Sequence, residues 1–231
     1  MGMPLVDVVF ITWNRPRVMV RTWAALKERL IYPNLRWVVA DDHSPDEVFE
    51  KIKDSLRPDI VFRTKQRSGW GVNVNNALKQ LDSDFVFQTE DDKLLKEPLD
   101  LVLGVKVLAA HPEFGMVRYW ALAGHPLYAH LRELRIGNGR CQVWHLLKNS
   151  PCLYVYSNGA HLKHRRFHEC YRLYPEGYKL GVTEEAFAHT FIDDKEGPGI
   201  IAFPEFVRGR FRDIGKSWQL TEFDIGKKAG E

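Results

Sequence analysis

Four short apolar runs, rich in β-branched and aromatic residues, alternate with segments of helical periodicity over the first ninety positions, and this alternation is the tightest constraint on the fold. "VDVVFIT" (6–12) is followed by "RPRVMVRTWAALKERL", where Val18, Trp23, Leu26 and Leu30 mark one helical face. "LRWVVA" (35–40) repeats the strand signal, and "DDHSPDEVFEKIKD" turns and enters a second helix. "DIVFRT" (59–64), a helix from about 72 to 81 and "DFVFQT" (84–89) complete the series. Alternation of this kind predicts an α/β fold with a mostly parallel central sheet and helices on both faces. Ligands of open sheets bind beyond the C-terminal ends of the strands. Thr12, Trp13 and Asn14 fall there after the first strand, Asp41 and Asp42 after the second, and Glu90, Asp91 and Asp92 after the fourth.

The second half is more mixed. "GMVRYW" (115–120) reads as a strand, and residues 131–147 read as a hairpin turning at Asn138-Gly139, a pair that tolerates positive φ. "CLYVYS" (152–157) reads as a further strand, and "NGAHLKHRRFHECYRL" (158–173) as helical for part of its length. At 231 residues, 45% hydrophobic and 27% charged, the chain is expected to form one domain with a substantial core. Its halves run from about 4 to 95 and 96 to 215, with a frayed tail over 216–231. A net charge of +3 is well short of the basic field of a protein held chiefly by phosphate backbones. Cys141, Cys152 and Cys170 form no metal-ligand pair and cannot all be paired within the chain, which fits packing residues in a reducing compartment. The start "MGMPLVD" has no basic-plus-apolar leader, and the most apolar helical stretch is broken by Asp100 and Lys106, so the expectation is a soluble cytoplasmic protein without a transmembrane segment.

Several motifs carry both a structural and a chemical reading. In "DDHSPDE", Ser44, Pro45 and Glu47 have the arrangement of a capped helix start. Asp41 and Asp42, ahead of the cap, are placed to accept hydrogen bonds from a nucleobase or a ribose, or to be ordinary loop acids. "RSGWGVNVNNALKQL" sets Gly69 and Gly71 ahead of a helix whose N-terminus suits a diphosphate; the plain alternative is a turn with Asn73 as the cap, and Asn76 can face either way. Glu90, Asp91 and Asp92 repel one another at the end of a buried strand. A Mg²⁺ or Mn²⁺ ion shared with a diphosphate would offset them, as would Lys93 and Lys96 in a solvated turn. "HLKHRRFHE" spaces His161, His164 and His168 helically, without the cysteine pair or HExxH pattern of a zinc site. Its cluster of Lys163, His164, Arg165 and Arg166 suits either a solvated helix face or an anionic acceptor. Trp120 and Trp144 are expected in the core, with a sugar-stacking platform as the alternative.

Taken together and in order, "VVFITWNRP", "VVADDHS", "GVNVNNAL" and "FVFQTEDDKLL" resemble the nucleotide-sugar-binding half of family 2-like glycosyltransferases, which have the GT-A fold. The resemblance spans about residues 5 to 95. It implies a Rossmann-like donor half and a mixed acceptor half. It also implies a nucleoside diphosphate sugar as donor, uridine diphosphate favoured, and Mn²⁺ or Mg²⁺ as cofactor. By that likeness Thr12, Trp13 and Asp42 contact the base, Asp91 the ribose and Asp92 the metal, with Arg67 reaching the base or the phosphates. The family's catalytic carboxylate, in an acidic pair opening a helix, corresponds to Glu185 or its neighbour Glu184 in "GVTEEAFAHTF", with Glu185 preferred. Where the family often has a metal-binding histidine followed by glycine, this chain has "FRDIGKSW", which puts Asp213 in that place or in an ion pair with Arg210 or Arg212. The expected reaction is inverting transfer of a sugar to a hydroxyl of a glycan, lipid, protein, small molecule or modified nucleobase. A nucleotidyltransferase of related fold, though it should carry a glycine-rich loop where this chain has "TWNRP", and a non-catalytic nucleotide-sugar binder are the alternatives.

Overall fold

The computed structural model describes residues 2–120, 129–149, 153–206 and 210–215. Its strands and helices run in the order β1 (Val6–Thr12), α1 (Pro16–Arg29), β2 (Leu30–Ile31), β3 (Leu35–Asp41), α2 (Asp46–Leu56), β4 (Ile60–Arg63), α3 (Trp70–Leu78), β5 (Phe85–Glu90), β6 (Lys93–Leu95) and β7 (Leu99–Asp100). The second half continues with α4 (Val102–Ala110), β8 (Phe114–Arg118), β9 (Ala129–Ile136), β10 (Gly139–Leu146), β11 (His161–His164), α5 (Arg166–Tyr171), α6 (Leu180–Asp193), β12 (Gly199–Ala202) and β13 (Phe211–Asp213).

The main sheet has the order β4-β3-β1-β5-β11-β8-β12-β10-β9. Strands β4, β3, β1 and β5 are parallel, as the alternation predicts. β11 is antiparallel to both β5 and β8 and joins the parallel half to the mixed half. Every residue of β1 is buried, because helices cover both faces of the sheet. Val8, Phe10 and Phe87 pack on one face with Trp23 and Leu26 of α1, Ile52 of α2 and Leu108 of α4. Val9, Ile11 and Val86 pack on the other with Val74 of α3, Phe167 of α5 and Phe187 of α6.

Backbone hydrogen bonds carry the strand pairing one residue past the strands and thereby place the functional loops. Asp91 N donates to Ile11 O (2.9 Å), Asp42 N to Thr12 O (3.1 Å) and Thr64 N to Asp41 O (3.1 Å). Thr64, Asp42, Thr12 and Asp91 therefore stand in a row along one edge of the parallel half.

Several expected elements differ. Residues 153–155 form a 3-10 turn where a strand was expected, and Cys152 and the 216–231 tail lie outside the described residues. Residues 161–164 are a strand; their His and Lys spacing looks helical, but Leu162 is a core residue that pairs with Phe87 and Val117. α3 begins at Trp70 and ends at Leu78, earlier at both ends than the periodicity suggests. Asn73 is inside this helix rather than at its cap, with Nδ2 donating to Ala40 O at 2.9 Å. Cys141 packs against the core as expected, whereas Cys170 is exposed; both are free. Among the described residues no helix is long and apolar enough to cross a membrane.

The two halves meet backbone to backbone at Gly71, where any Cβ would collide with the carbonyl oxygen of Pro175. Beside it, Asn75 binds both Tyr174 N (3.0 Å, accepting) and Tyr174 O (2.8 Å, donating). Gly71→Ala is expected to cost about 1–3 kcal/mol through overpacking, which for a chain of this size lowers Tm by about 2–4 °C per kcal/mol; thermal unfolding measures it.

Candidate functional site

A cleft of about 540 Å³ opens along the C-terminal edge of the parallel strands, lined on one side by Thr12, Trp13 and Arg15 and on the other by Glu90, Asp91 and Asp92. β1 and β5 are neighbours in the sheet, so their exit loops must face one another. Thr12 Oγ1 donates to Asp91 Oδ2 at 2.8 Å, and the Trp13 N–H points at the same oxygen from 3.4 Å. Asp91 is only 5% exposed. Arg15 Nη1 bridges Asp91 Oδ1 (3.2 Å) and Asp92 Oδ2 (2.9 Å). Lys93 Nζ contacts Asp92 Oδ1 (2.9 Å), Asp213 Oδ2 (3.1 Å) and Glu90 Oε2 (3.4 Å).

Burial dominates the electrostatics of this group. It pushes Glu90 up to about 7, against the opposing pull of Lys93, and Asp91 up to about 6, against that of Arg15. Burial also disfavours the charges on Arg15 and Lys93, yet the surrounding carboxylates overcome it and raise both. The acids face the cleft, and their charge is partly offset from within the chain. Lys93 supplies the compensation that the sequence allowed for; Asp213 pairs with it rather than with Arg210 or Arg212.

The residues expected to line the nucleotide's base are used differently from one another. Asp42 lines the cleft, but its oxygens accept from Ser68 N (2.8 Å), Thr64 Oγ1 (3.2 Å) and Gly69 N (2.9 Å), so it braces the 64–69 loop. Asp41 is buried behind it and accepts from Ser44 N (2.9 Å) and from the Ser44 hydroxyl. That hydroxyl in turn accepts from Asn14 N at 2.8 Å, and α2 starts at Asp46 with no side-chain cap, so Ser44 ties two loops together instead of capping the helix. Neither Asn14 nor Asp41 lines the cleft. Asn76 is turned away from it and contacts Gln80. Arg67 lies flat over the Trp13 ring, 3.5 Å from its centre, at the cleft wall.

Sequence reasoning gave no site role to Arg15, Trp70, Asn73, Tyr178 or Lys179, all of which line the cleft. Asn73 Oδ1 and Trp70 Nε1 are buried there without a hydrogen-bond partner. The one signal for Arg15 was its place directly after the first strand's exit loop.

α6 begins at Leu180, one turn earlier than expected, so Glu184 and Glu185 fall in its second turn and no acid occupies the first. This weakens the helix-dipole explanation of the pair. Glu184 is partly buried, and its Oε1 accepts from Asn158 N at 2.7 Å. Its charge reaches Glu90, adding to the rise of that residue's pKa. Glu185 is exposed. Below Glu184, Tyr156 OH lies between Asn158 Oδ1 (2.8 Å) and Tyr174 OH (3.0 Å). Tyr174 OH then accepts from Lys163 Nζ at 2.8 Å. Lys163 is 1% exposed and also donates to Gln88 Oε1 (2.8 Å) and His168 Nε2 (2.6 Å), so it is a core residue and not part of a basic surface. Arg165 pairs with Asp84 and Glu169, which leaves no anion-binding cluster along 161–169. Trp120 and Trp144 both pack against the cores.

The sequence pattern of glycosyl transferase family 2 matches residues 7–151, more than half of the chain. The chain belongs to that family.

Solved structures agree on the GT-A fold. A mannosyltransferase from Pyrobaculum calidifontis, in complex with GDP-Man and Mn²⁺, superposes with a TM-score of 0.62 at 18% identity, covering 89% of this chain and 56% of that one. TarS 1–349 of S. aureus with UDP-GlcNAc gives 0.57 at 17% identity, covering 85% and 57%. GalNAc-T7 with UDP, GalNAc and Mn²⁺ gives 0.59 at 13% identity, covering 88% and 43%. The chain thus spans between about two fifths and three fifths of the length of these neighbours. No curated protein sequence matches it. The family match ends before β11, so Glu184, Glu185 and Asp213 lie beyond it.

The donor set fits a hard dication. Glu90, Asp91, Asp92 and Asp213 offer oxygen alone, as Mg²⁺ and Mn²⁺ prefer. Glu90, Asp91 and Asp92 are three carboxylates held against two cations, Arg15 and Lys93, and Glu90 Oε1 is buried without a hydrogen-bond partner. Among the described residues no three metal-ligating side chains converge on one point; Mg²⁺ and Mn²⁺ commonly take one or two protein carboxylates and complete their shell with substrate phosphate and water.

The bracing geometry of Asp42 gives a discriminating prediction. Asp42→Ala leaves the N–H groups of Ser68 and Gly69 without their acceptor, and stability is expected to fall by about 1–3 kcal/mol, seen as a lower denaturant midpoint even without nucleotide. Unchanged stability together with lost nucleotide affinity would instead make Asp42 a direct base contact.

Proposed function

We propose that this family 2 chain is a metal-dependent glycosyltransferase that moves a sugar from a nucleoside diphosphate sugar, a UDP-sugar in first place, to a hydroxyl acceptor with inversion. The observation that carries this reading is the convergence of Thr12, Asp91 and Asp92 from two adjacent parallel strands on one cleft; Glu184 lies outside the lining but close enough for its charge to add to the rise of the Glu90 pKa. The neighbours' complexes with UDP, UDP-GlcNAc and GDP-Man support a nucleotide-sugar donor.

In this reading the base and ribose lie along Trp13, Arg67, Asn73 and Asp91. The unpaired Asn73 Oδ1 accepts from a donor on the nucleoside, and the unpaired Trp70 N–H is available to an acceptor beside it. Asp92 holds the dication, assisted by Glu90 or Asp213. The dication would neutralise the diphosphate as it leaves. Glu184 is the general base: the N–H of Asn158 fixes Oε1, which leaves Oε2 to take the proton as the acceptor oxygen attacks the anomeric carbon and the bond from that carbon to the diphosphate breaks. Sequence resemblance prefers Glu185; its exposure, beside the anchored and coupled Glu184, reverses the preference. A nucleotidyltransferase and a non-catalytic sugar-nucleotide binder lack a use for a base anchored in this way.

Two measurements test the proposal. Glu184→Gln is expected to retain donor binding and lose transfer by a factor of about 10²–10⁴, while Glu185→Gln stays near wild type; the opposite ranking moves the base to Glu185. Thermal shift with a panel of nucleotides should show stabilisation by a nucleoside diphosphate that depends on Mn²⁺ or Mg²⁺ and disappears in Asp92→Asn. No stabilisation by any nucleoside diphosphate in the presence of metal would overturn the donor assignment.

A further inference from the structure

The carboxylate best placed to hold the dication is already taken on both sides. Asp92 Oδ2 accepts a hydrogen bond from Arg15 at 2.9 Å, and Asp92 Oδ1 lies 2.9 Å from Lys93 Nζ in an ion pair without hydrogen-bond geometry. A metal ion can use this residue only if one cation gives way, because an oxygen fully engaged by a guanidinium is not free as a ligand and two cations on one carboxylate repel.

The two cations differ in how replaceable they are. Lys93 lies within β6, its side chain 12% exposed, and contacts Glu90 and Asp213 as well as Asp92. β6 is also fixed by pairing with β13, where Lys93 stands opposite Asp213. Arg15 sits in the loop ahead of α1, outside the helix proper, and its side chain is 27% exposed at the cleft. One of its terminal nitrogens makes both carboxylate contacts, so a single side-chain rotation frees it. Once freed it still lines the cleft, and its planar fork of donors matches phosphate oxygens.

We propose that Arg15 is an exchangeable counter-cation: it occupies Asp91 and Asp92 when the dication is absent, yields Asp92 to the dication, and transfers its hydrogen bonds to the donor diphosphate. The inference rests on the metal-dependent donor site proposed above and adds to it a residue with two alternating partners. Its thermodynamic consequence is linkage. Arg15 opposes metal binding in the free protein and rewards diphosphate binding in the metal-loaded one, so metal and nucleotide strengthen each other beyond their direct contact.

The test is Mn²⁺ binding to wild type, Arg15→Gln and Arg15→Lys, followed by loss of the free-ion electron paramagnetic resonance signal with and without UDP, and by calorimetry of UDP binding in saturating Mn²⁺. Arg15→Gln is expected to bind Mn²⁺ alone about tenfold more tightly than wild type, and UDP in saturating Mn²⁺ about tenfold more weakly, within the range usual for coupled sites. Arg15→Lys, which keeps the charge without the fork, should restore the weak metal binding of wild type more fully than the UDP affinity. Arg15→Gln binding Mn²⁺ no more tightly than wild type overturns the exchange. So does a loss of both affinities together, which is the signature of a fixed scaffold residue. Thermal unfolding of the metal-free variants guards against a folding defect, and Arg15→Lys carries the comparison if Arg15→Gln unfolds. Failure of wild type to bind Mn²⁺ even with UDP would strike the metal reading itself, and the exchange with it.

Discussion

Everything at the cleft follows from the burial of like charges at the end of β5. Glu90, Asp91 and Asp92 are carried to the sheet edge by a strand whose preceding residues belong to the core, so they cannot retreat into solvent without unpairing β5 from β1. Burial raises the pKa of Glu90 and Asp91. Arg15 from one exit loop and Lys93 from the next strand offset part of the repulsion. Three acids against two cations at the end of one strand is thus a property of the fold.

The junction between the two halves is organised by a different device, a polar seam inside the sheet. Lys163 on β11 and Gln88 on β5 are both buried, and with Tyr174, Tyr156 and Asn158 they form a hydrogen-bonded run that ends where Asn158 holds Glu184. Desolvation drives the Lys163 pKa well below the ordinary lysine range, and its three acceptors, Gln88, His168 and Tyr174, replace the water it has lost. The run is not fully satisfied, since Gln88 Nε2 and Asn158 Nδ2 are buried without hydrogen-bond partners.

The donor half was legible because its signals are local. Apolar runs of strand length alternating with periodic helices fix β1, β3, β4 and β5, and parallel pairing then places Thr12, Asp42 and Asp91 in one row. The long-range partners were not legible. Nothing in "TWNRP" says that Arg15 will reach across to the acids of β5, because that contact depends on the sheet order. The polar letters of "HLKH" imitate a solvated helix, since a lysine inside a sheet is readable only once Tyr174 and His168, from other segments, are seen to surround it. Ser44 reads as a cap by local rules, yet Asp41 and Asn14 compete for its hydroxyl and win. The early start of α6 is likewise set by its packing, with Thr183 buried and Phe187 in the core.

The seam between Asn75 and Tyr174 ties the two halves of the chain together mechanically. Asn75 grips the backbone of Tyr174 in the manner of a paired strand, and at Gly71 the main chains touch without an intervening side chain. Three residues further along, the same segment presents Tyr178 and Lys179 to the cleft and then becomes the helix that bears Glu184. The start of α3, which brings Trp70 and Asn73 to one wall of the cleft, is therefore held in fixed register with the lip that carries Tyr178 and Lys179, so the width of the cleft is set by main-chain contact rather than by side-chain packing.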